Sequence, residues 1–272
     1  VLRGFFSSLA MSCGAAARQL GLMSSAVSLA ARHHRCRAAW EPHLARTRNF
    51  VTRSAAECPG RDLAVVVGSG HLLDVPLDAL AGRFRQVVLA DVVHPWAARR
   101  AVRRLPNVSL LEFDATGLHQ DIVRLCRDKV RAPLPVPAPP VLPVPRPDFL
   151  VSLNLLSQIT IRPIAALRQE LADPDEAELA VLARGLVDAH LAWLPAAAQR
   201  VCLVSDYLRV VRGKAGELER VDLLHGAILP PGEDWEWLLA PRPEARADAD
   251  IYHLVRGVPD CSAALTDIEY SY

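Results

Sequence analysis

The chain has 272 residues, a hydrophobic fraction of 51% and a formal net charge of +1. It can bury one large core, and its charge balance carries no global field that would draw it to polyanions or anionic membranes. Its sequence holds no uninterrupted apolar run of 18 residues, so no membrane partner is expected.

Residues 1–40 contain five arginines and no acid, and residues 1–24 read as a leader-like or poorly ordered start. From Ser25 to Glu57 the spacing of Val27, Ala31, His34, Ala38, Leu44, Phe50 and Val51 predicts one or two amphipathic helices, broken or kinked at Pro42. This segment, 25–58, also concentrates His33, His34, Cys36, Trp40 and His43. His34 and His43 lack the i, i+4 spacing of a helical metal pair, so no metal site is expected. A helical cap over a ligand crevice is the preferred reading, with Trp40 and His43 in the substrate wall. On that reading a chain starting at Pro59 stays soluble.

Asp62-Leu-Ala-Val-Val-Val-Gly-Ser-Gly70 then reads as a buried parallel strand opening into a ligand loop. Gly68 and Gly70 carry no Cβ, so the backbone can turn sharply and a ligand can approach it closely. A helix follows with Leu77, Leu80, Ala81 and Phe84 on one face. The next two apolar runs end in acids, at Asp91 and Asp114, and each leads into an amphipathic helix. Three β-α units in succession predict an α/β fold with a doubly wound, mostly parallel sheet.

Eight prolines between 133 and 147 enforce an extended surface loop at the N-terminal edge of the sheet. Strand four is Asp148–Asn154. Helices are predicted over 163–171 and 176–194, the second burying Leu179, Leu182, Leu186 and Trp193, with His190 a hydrogen-bonded core residue. Strand five is Arg200–Asp206. Asp234–Leu239 and Asp250–Gly257 alternate about a charged turn and predict an antiparallel hairpin, and residues 259–272 read as a loose tail. The six cysteines include no Cys-x-x-Cys pair, which predicts free thiols in a reducing, cytoplasmic compartment.

A strand-Gly-x-Gly crevice with an acid ending the second strand suits a dinucleotide or S-adenosylmethionine, because both offer a ribose diol to that carboxylate. Three features separate them. Leu73 stands where a dinucleotide loop wants a third glycine, and the helix is delayed by six residues, with Pro76 removing one of its free N–H donors. Asp114-Ala115 sits where an adenine edge would lie, and the terminal hairpin is absent from the basic dinucleotide fold.

On these residues the chain, over roughly 60–258, resembles the class I S-adenosylmethionine-dependent methyltransferases. The resemblance implies a sheet of order 3-2-1-4-5 closed by the antiparallel hairpin, with the helical cap N-terminal to it. It implies S-adenosylmethionine as cofactor and methyl transfer; the acceptor is unidentified and expected to be a small molecule, and the charge balance, not the resemblance, predicts no nucleic-acid partner. It puts Gly68, Ser69 and Gly70 at the amino-acid end of the cofactor, Asp91 and Val92 at the ribose, Asp114 and Ala115 at the adenine, and Asn154 facing the methyl. Trp40, His43, Gln158 and Tyr207 are the acceptor-side candidates. The family's acid before the first glycine falls at Val66 and is missing, and the Asn-Pro-Pro-Tyr motif of amino-methylating members is replaced by Asn154-Leu-Leu-Ser.

Positioning is most of what such an enzyme does, and a base is needed only for a protonated nucleophile. His71, His94, Asp206, Tyr207 and His225 lie near the crevice, none is distinguished by spacing, and no catalytic residue is assigned. The competing readings are an NAD(P)-dependent oxidoreductase, opposed by Leu73, the delayed helix and the absence of a Tyr-x-x-x-Lys pair, and a non-catalytic binding protein that keeps the fold.

Overall fold

The computed structural model describes residues 12–129, 133–171 and 173–264. Its main sheet follows the β-α alternation of the sequence: β1 (Leu63–Val67), α2 (Leu77–Arg83), β2 (Gln86–Asp91), α3 (Trp96–Arg104), β3 (Val108–Glu112), α4 (His119–Asp128), β4 (Phe149–Leu153), α5 (Ile161–Glu170), α6 (Glu176–Ala197) and β5 (Arg200–Gly213). Ahead of them runs the long helix α1 (Leu22–Ala56). After them come β6 (Gly216–Asp222), β7 (Glu233–Ala240), β8 (Ala249–Val258) and the short α7 (Cys261–Ala264).

Hydrogen bonding orders the strands β3-β2-β1-β4-β5-β8-β7. The first five are parallel, with Val65 opposite both Val88 and Leu150. β8 runs antiparallel to β5, and β7 antiparallel to β8 at the edge. The expected order 3-2-1-4-5 and the closing hairpin are both present, with the later hairpin strand on the inside. β1 is apolar throughout because both its faces are covered. Val65 and Val67 join a core with Ile122 of α4, Leu167 of α5 and Leu182 and Leu186 of α6. Ala64 and Val66, on the other face, join one with Leu80 of α2 and Leu44 and Val51 of α1.

α1 leaves Gly21, whose φ is 74°, and runs 35 residues. Its buried positions Trp40, His43, Leu44, Thr47, Val51, Ser54 and Ala55 recur at three and four, one stripe of a helix. That stripe lies against β7, where Trp40 meets Trp237 and Phe50 meets Trp235. Gly257 of β8 leaves the space Phe50 occupies, since a Cβ there would stand 2.7 Å from the ring. The helix continues through Pro42, and its departure from helical geometry is six residues earlier, at Cys36 (φ −102°, ψ 17°).

Several expectations change. Trp40, Leu44, Phe50, Val51 and Ala55 belong to the sheet's own core. Removing the four large ones forfeits roughly 1.5–3 kcal/mol apiece, comparable in sum to the whole stability of a domain, so a chain starting at Pro59 is not expected to stay folded. Within the segment 1–24, Ser12–Cys13 pairs with Val93–His94, Ala15–Gln19 forms a short helix, and Leu20 is buried in the core that also holds Phe113 and Leu156; residues 1–11 lie outside the described residues. The tail 259–272 begins tied down, with Cys261 buried and Asp260 accepting from Arg200; residues 265–272 lie outside the described residues.

β5 runs seven residues beyond Asp206 and folds back as β6, because Leu208-Arg-Val-Val-Arg212 contains no strand breaker up to a glycine-bounded turn. α6 is long and apolar enough to cross a membrane by length and composition, against the sequence expectation. Leu179, Leu182, Leu186 and Trp193 face the sheet, and His190 meets Ser152 at 2.9 Å as a core histidine. All six cysteines are free, with Cys36, Cys58, Cys202 and Cys261 buried.

Candidate functional site

Doubly wound sheets leave a crevice outside the carboxyl ends of their strands, where the winding reverses. Here β1 lies between β2 and β4, and a cavity of 630 Å3 opens at their C-terminal ends, a size suited to a cofactor-scale ligand. Its floor comes from Val67, Ala90, Phe113 and Leu153, each at or just past a strand end, and its outer wall from the first turns of α1, including Leu22, Ala26 and Leu29.

The glycine loop is shaped by its neighbours. Gly68 has φ 81° and a Cβ there would stand 2.7 Å from the Leu153 carbonyl oxygen, so only glycine lets the loop pass β4. Gly70 has φ 44°, and its N–H donates to Asp91 Oδ2 at 2.8 Å. The Val93 N–H donates to Asp91 Oδ1 at 3.1 Å, so one carboxylate ties together the ends of β1 and β2. Burial raises the Asp91 pKa, and these N–H groups oppose the rise.

Asp114 is also held locally. Its Oδ1 accepts from the Thr116 N–H at 2.9 Å and hydroxyl at 2.6 Å, and its Oδ2 accepts from the His119 N–H at 2.9 Å, stapling the start of α4. Ala115 and Thr116 complete that corner of the cavity. Asn154 takes a left-handed φ of 47° after β4. Its Nδ2 donates to Asp74 Oδ2 at 2.7 Å and its carbonyl accepts from Gln158 Nε2 at 2.9 Å.

The wall nearest the hairpin is aromatic. Trp40 Nε1 donates to the Leu239 carbonyl at 2.8 Å, fixing that ring. His43 stacks on Trp237 with 4.3 Å between ring centroids, and Trp235 Nε1 donates to His43 Nδ1 at 3.0 Å. Burial pushes the His43 pKa down to about 4.

Of the residues expected at the site, Gly68, Ser69, Gly70, Asp91, Val92, Asp114, Ala115, Asn154, Trp40, His43 and Gln158 all line this one cavity. Tyr207 does not: it lies on the part of β5 beyond the parallel sheet, with the Arg256 guanidinium 5.2 Å over its ring. Among the possible bases only His71 lines the cavity, and its Nε2 is spent donating to the Ala26 carbonyl. His94 is bound to the Leu111 carbonyl, Asp206 to Ser157 and His253, and His225 to Thr160.

Sequence reasoning missed Asp74, Trp237 and the wall from residues 22–32. The six-residue delay before α2 was the available signal for Asp74, since it makes room for a side chain over the loop. Trp235 and Trp237, two residues apart on a strand, share a face, but which face met α1 needed the tertiary structure. Val66, where an acid was expected, points into the apolar layer under α1 and α2 and is wholly buried. Asp74 is the carboxylate the cavity holds instead, its pKa raised by burial.

No protein-family model and no curated protein matches the chain. Solved structures do. A complex named DhpI-SAM-HEP is 12% identical, with 89% of this chain and 99% of that one covered and a TM-score of 0.39. A 1,6-didemethyltoxoflavin N1-methyltransferase of Burkholderia thailandensis, with its substrate and S-adenosylhomocysteine bound, is 15% identical over 90% and 91% at a TM-score of 0.37. The 23S rRNA methyltransferase ErmE is 15% identical over 77% and 68% at 0.30. The sheet order itself, five parallel strands closed by an antiparallel pair, is the one expected of a class I methyltransferase-like fold. One of these proteins is named for rRNA and another for a small heterocycle, so the expected small-molecule partner, with nucleic acid excluded, does not stand.

Proposed function

We propose that the cavity binds S-adenosylmethionine and that the protein transfers its methyl group to an acceptor held between the glycine loop and the aromatic wall. The observation that carries this reading is convergence: the ends of β1, β2 and β4 and the loop after β3 bring Gly68–Gly70, Asp91, Asn154 and Asp114 to one cavity. Ser69 and Asn154 both line that cavity, and Ser69 Oγ and Asn154 Oδ1 have no hydrogen-bond partner within the protein.

In this reading Ser69 and the loop meet the amino-acid end of the cofactor, Asp91 with Val92 the ribose, and Asp114 with Ala115 the adenine. The sulfonium, when bound, supplies an electrophilic methyl, so the protein's task is alignment. Asn154, held by Asp74, orients the end of β4 toward the reacting centre, while α1 and the hairpin exclude water. Trp40, His43 and Gln158 stand on the acceptor side. No residue is assigned as a base; the bond to the Ala26 carbonyl places the His71 proton on Nε2 and leaves Nδ1 as its basic nitrogen.

The antiparallel β8 and β7 at the sheet's end disfavour the oxidoreductase, whose sheet would continue parallel. The apolar Val66 is the observation that favours a non-catalytic binding protein. Calorimetry with S-adenosylmethionine, S-adenosylhomocysteine, NAD and NADP separates the three: micromolar-range binding of the first two alone supports methyl transfer, nicotinamide binding supports the oxidoreductase, and no binding refutes both.

A further inference from the structure

Three carboxylates line the cavity, those of Asp74, Asp91 and Asp114. The protein satisfies two of them. Both oxygens of Asp91 accept from backbone N–H groups, of Gly70 and Val93, and both oxygens of Asp114 accept from those of Thr116 and His119. Those bonds hold the strand ends and the start of α4, which gives both acids a structural use.

Asp74 differs. Its Oδ2 accepts from Asn154 Nδ2 at 2.7 Å, and among the described residues no other residue donates to its Oδ1 and no cation pairs with it. Arg48, the cation that acts on it, is spent elsewhere: Nη1 donates to the Leu73 carbonyl and Nη2 pairs with Glu41 at 2.6 Å. Burial therefore raises the Asp74 pKa against the opposing effects of Asn154 and Arg48. The side chain is still open to the cavity it lines, because Asp74 is only half-buried and neither of its carboxylate oxygens is sealed without a partner. A desolvated carboxylate with one donor is costly until a cation completes it.

Resting on the methyl-transfer reading, we infer that Asp74 is the anionic anchor for the α-ammonium group of the cofactor's amino-acid end, in place of the acid missing at Val66. Asp74 follows Gly70 by four residues, on the loop which that reading sets against the amino-acid end, and it is the cavity carboxylate with an uncommitted oxygen. An ammonium brings three N–H donors and a full charge to such an oxygen, whereas the sulfonium brings charge without a donor. Asn154 Nδ2 fixes the other oxygen, so the carboxylate is held in place before a ligand arrives. The same unpaired negative charge opposes a dinucleotide, whose pyrophosphate it would repel.

The test is calorimetry on the full chain with S-adenosylhomocysteine and with its deaminated analogue, in which hydrogen replaces the α-amino group. The unsubstituted protein is expected to bind the analogue more weakly by about tenfold or more, the worth of one charge-assisted hydrogen bond. Asp74→Asn, which keeps an oxygen for Asn154 Nδ2, is expected to weaken S-adenosylhomocysteine by the same factor and not to weaken the analogue further, so that substitution and deamination are not additive. Stability is the second readout. Removal of an uncompensated buried charge is expected to leave the urea midpoint of the ligand-free protein unchanged or higher.

Equal affinity of the unsubstituted protein for the two ligands, equal weakening of both by Asp74→Asn, or no weakening of either would overturn the inference. A variant that fails to fold or is markedly less stable also overturns it, by showing that the carboxylate serves the fold. Failure of S-adenosylhomocysteine to bind the unsubstituted protein refutes the methyl-transfer reading and the inference with it, whereas binding indifferent to the amino group or to Asp74 refutes the inference alone.

Discussion

Gly68 and Gly70 are both left-handed glycines of one loop, yet the structure ranks them differently. At Gly68 an alanine would take φ 81° and put its Cβ 2.7 Å from the Leu153 carbonyl oxygen. The conformation costs about 1–2 kcal/mol. The clash adds roughly 1–3 kcal/mol, because Leu153 is held between β1 and β5 and cannot give way freely. At Gly70 the conformational cost is similar, but the nearest atom to a Cβ is the Gly68 oxygen at 3.9 Å, an ordinary contact. Gly68→Ala is therefore expected to destabilise by about 2–5 kcal/mol and Gly70→Ala by about 1–2 kcal/mol. Any shift of Leu153 also moves Asn154, so Gly68→Ala should weaken S-adenosylmethionine binding more. Urea denaturation with unchanged m-values, and calorimetry on the folded fraction, measure both. Equal effects, or a larger one at Gly70, would refute the steric argument.

Asp91→Ala leaves the Gly70 and Val93 N–H groups without their acceptor and removes the proposed ribose contact, so cofactor affinity should fall about tenfold or more in calorimetry; unchanged affinity in a folded variant would confine Asp91 to holding the loop. His43 and His190 both have pKa values depressed to about 4 by burial. The unfolded chain binds those protons near pH 6.5 and the folded chain only near pH 4, so their stabilisation is complete above pH 6.5 and lost as pH falls to about 4. The loss is roughly 3 kcal/mol for each histidine, read from urea midpoints across that window, and a flat profile would contradict the burial of both rings. Trp40→Ala should destabilise by about 3–5 kcal/mol, as a fully buried core tryptophan; a cost under about 1 kcal/mol would mean that α1 is a dispensable cap.

The sheet was legible in the chain because its signals are local. Apolar runs ending in Gly68, Asp91 and Asn154, each followed by an amphipathic helix, allow little besides a doubly wound α/β fold, and period-two alternation marks the hairpin 234–257. The cavity side chains at the ends of those runs were legible for the same reason, since a strand's end sets its residue at the crevice. Elements whose place depends on distant partners were not. α1 has weak patterning, and its burial of Trp40 and His43 follows from meeting β7 almost two hundred residues later. Asp206 and Tyr207 lie outside the crevice because β5 does not end there; β6 and β8 extend the strand.

By itself, then, the sequence determined the order of elements, the glycine loop and the acids at the strand ends, all matters of short-range periodicity and backbone conformation. Only the tertiary structure decided that Asp74 rather than position 66 brings a carboxylate to the cavity, and that His43 and Trp237 stack in its wall. Those facts depend on which face of a strand or helix meets which partner across the core, and nothing local to either segment encodes it.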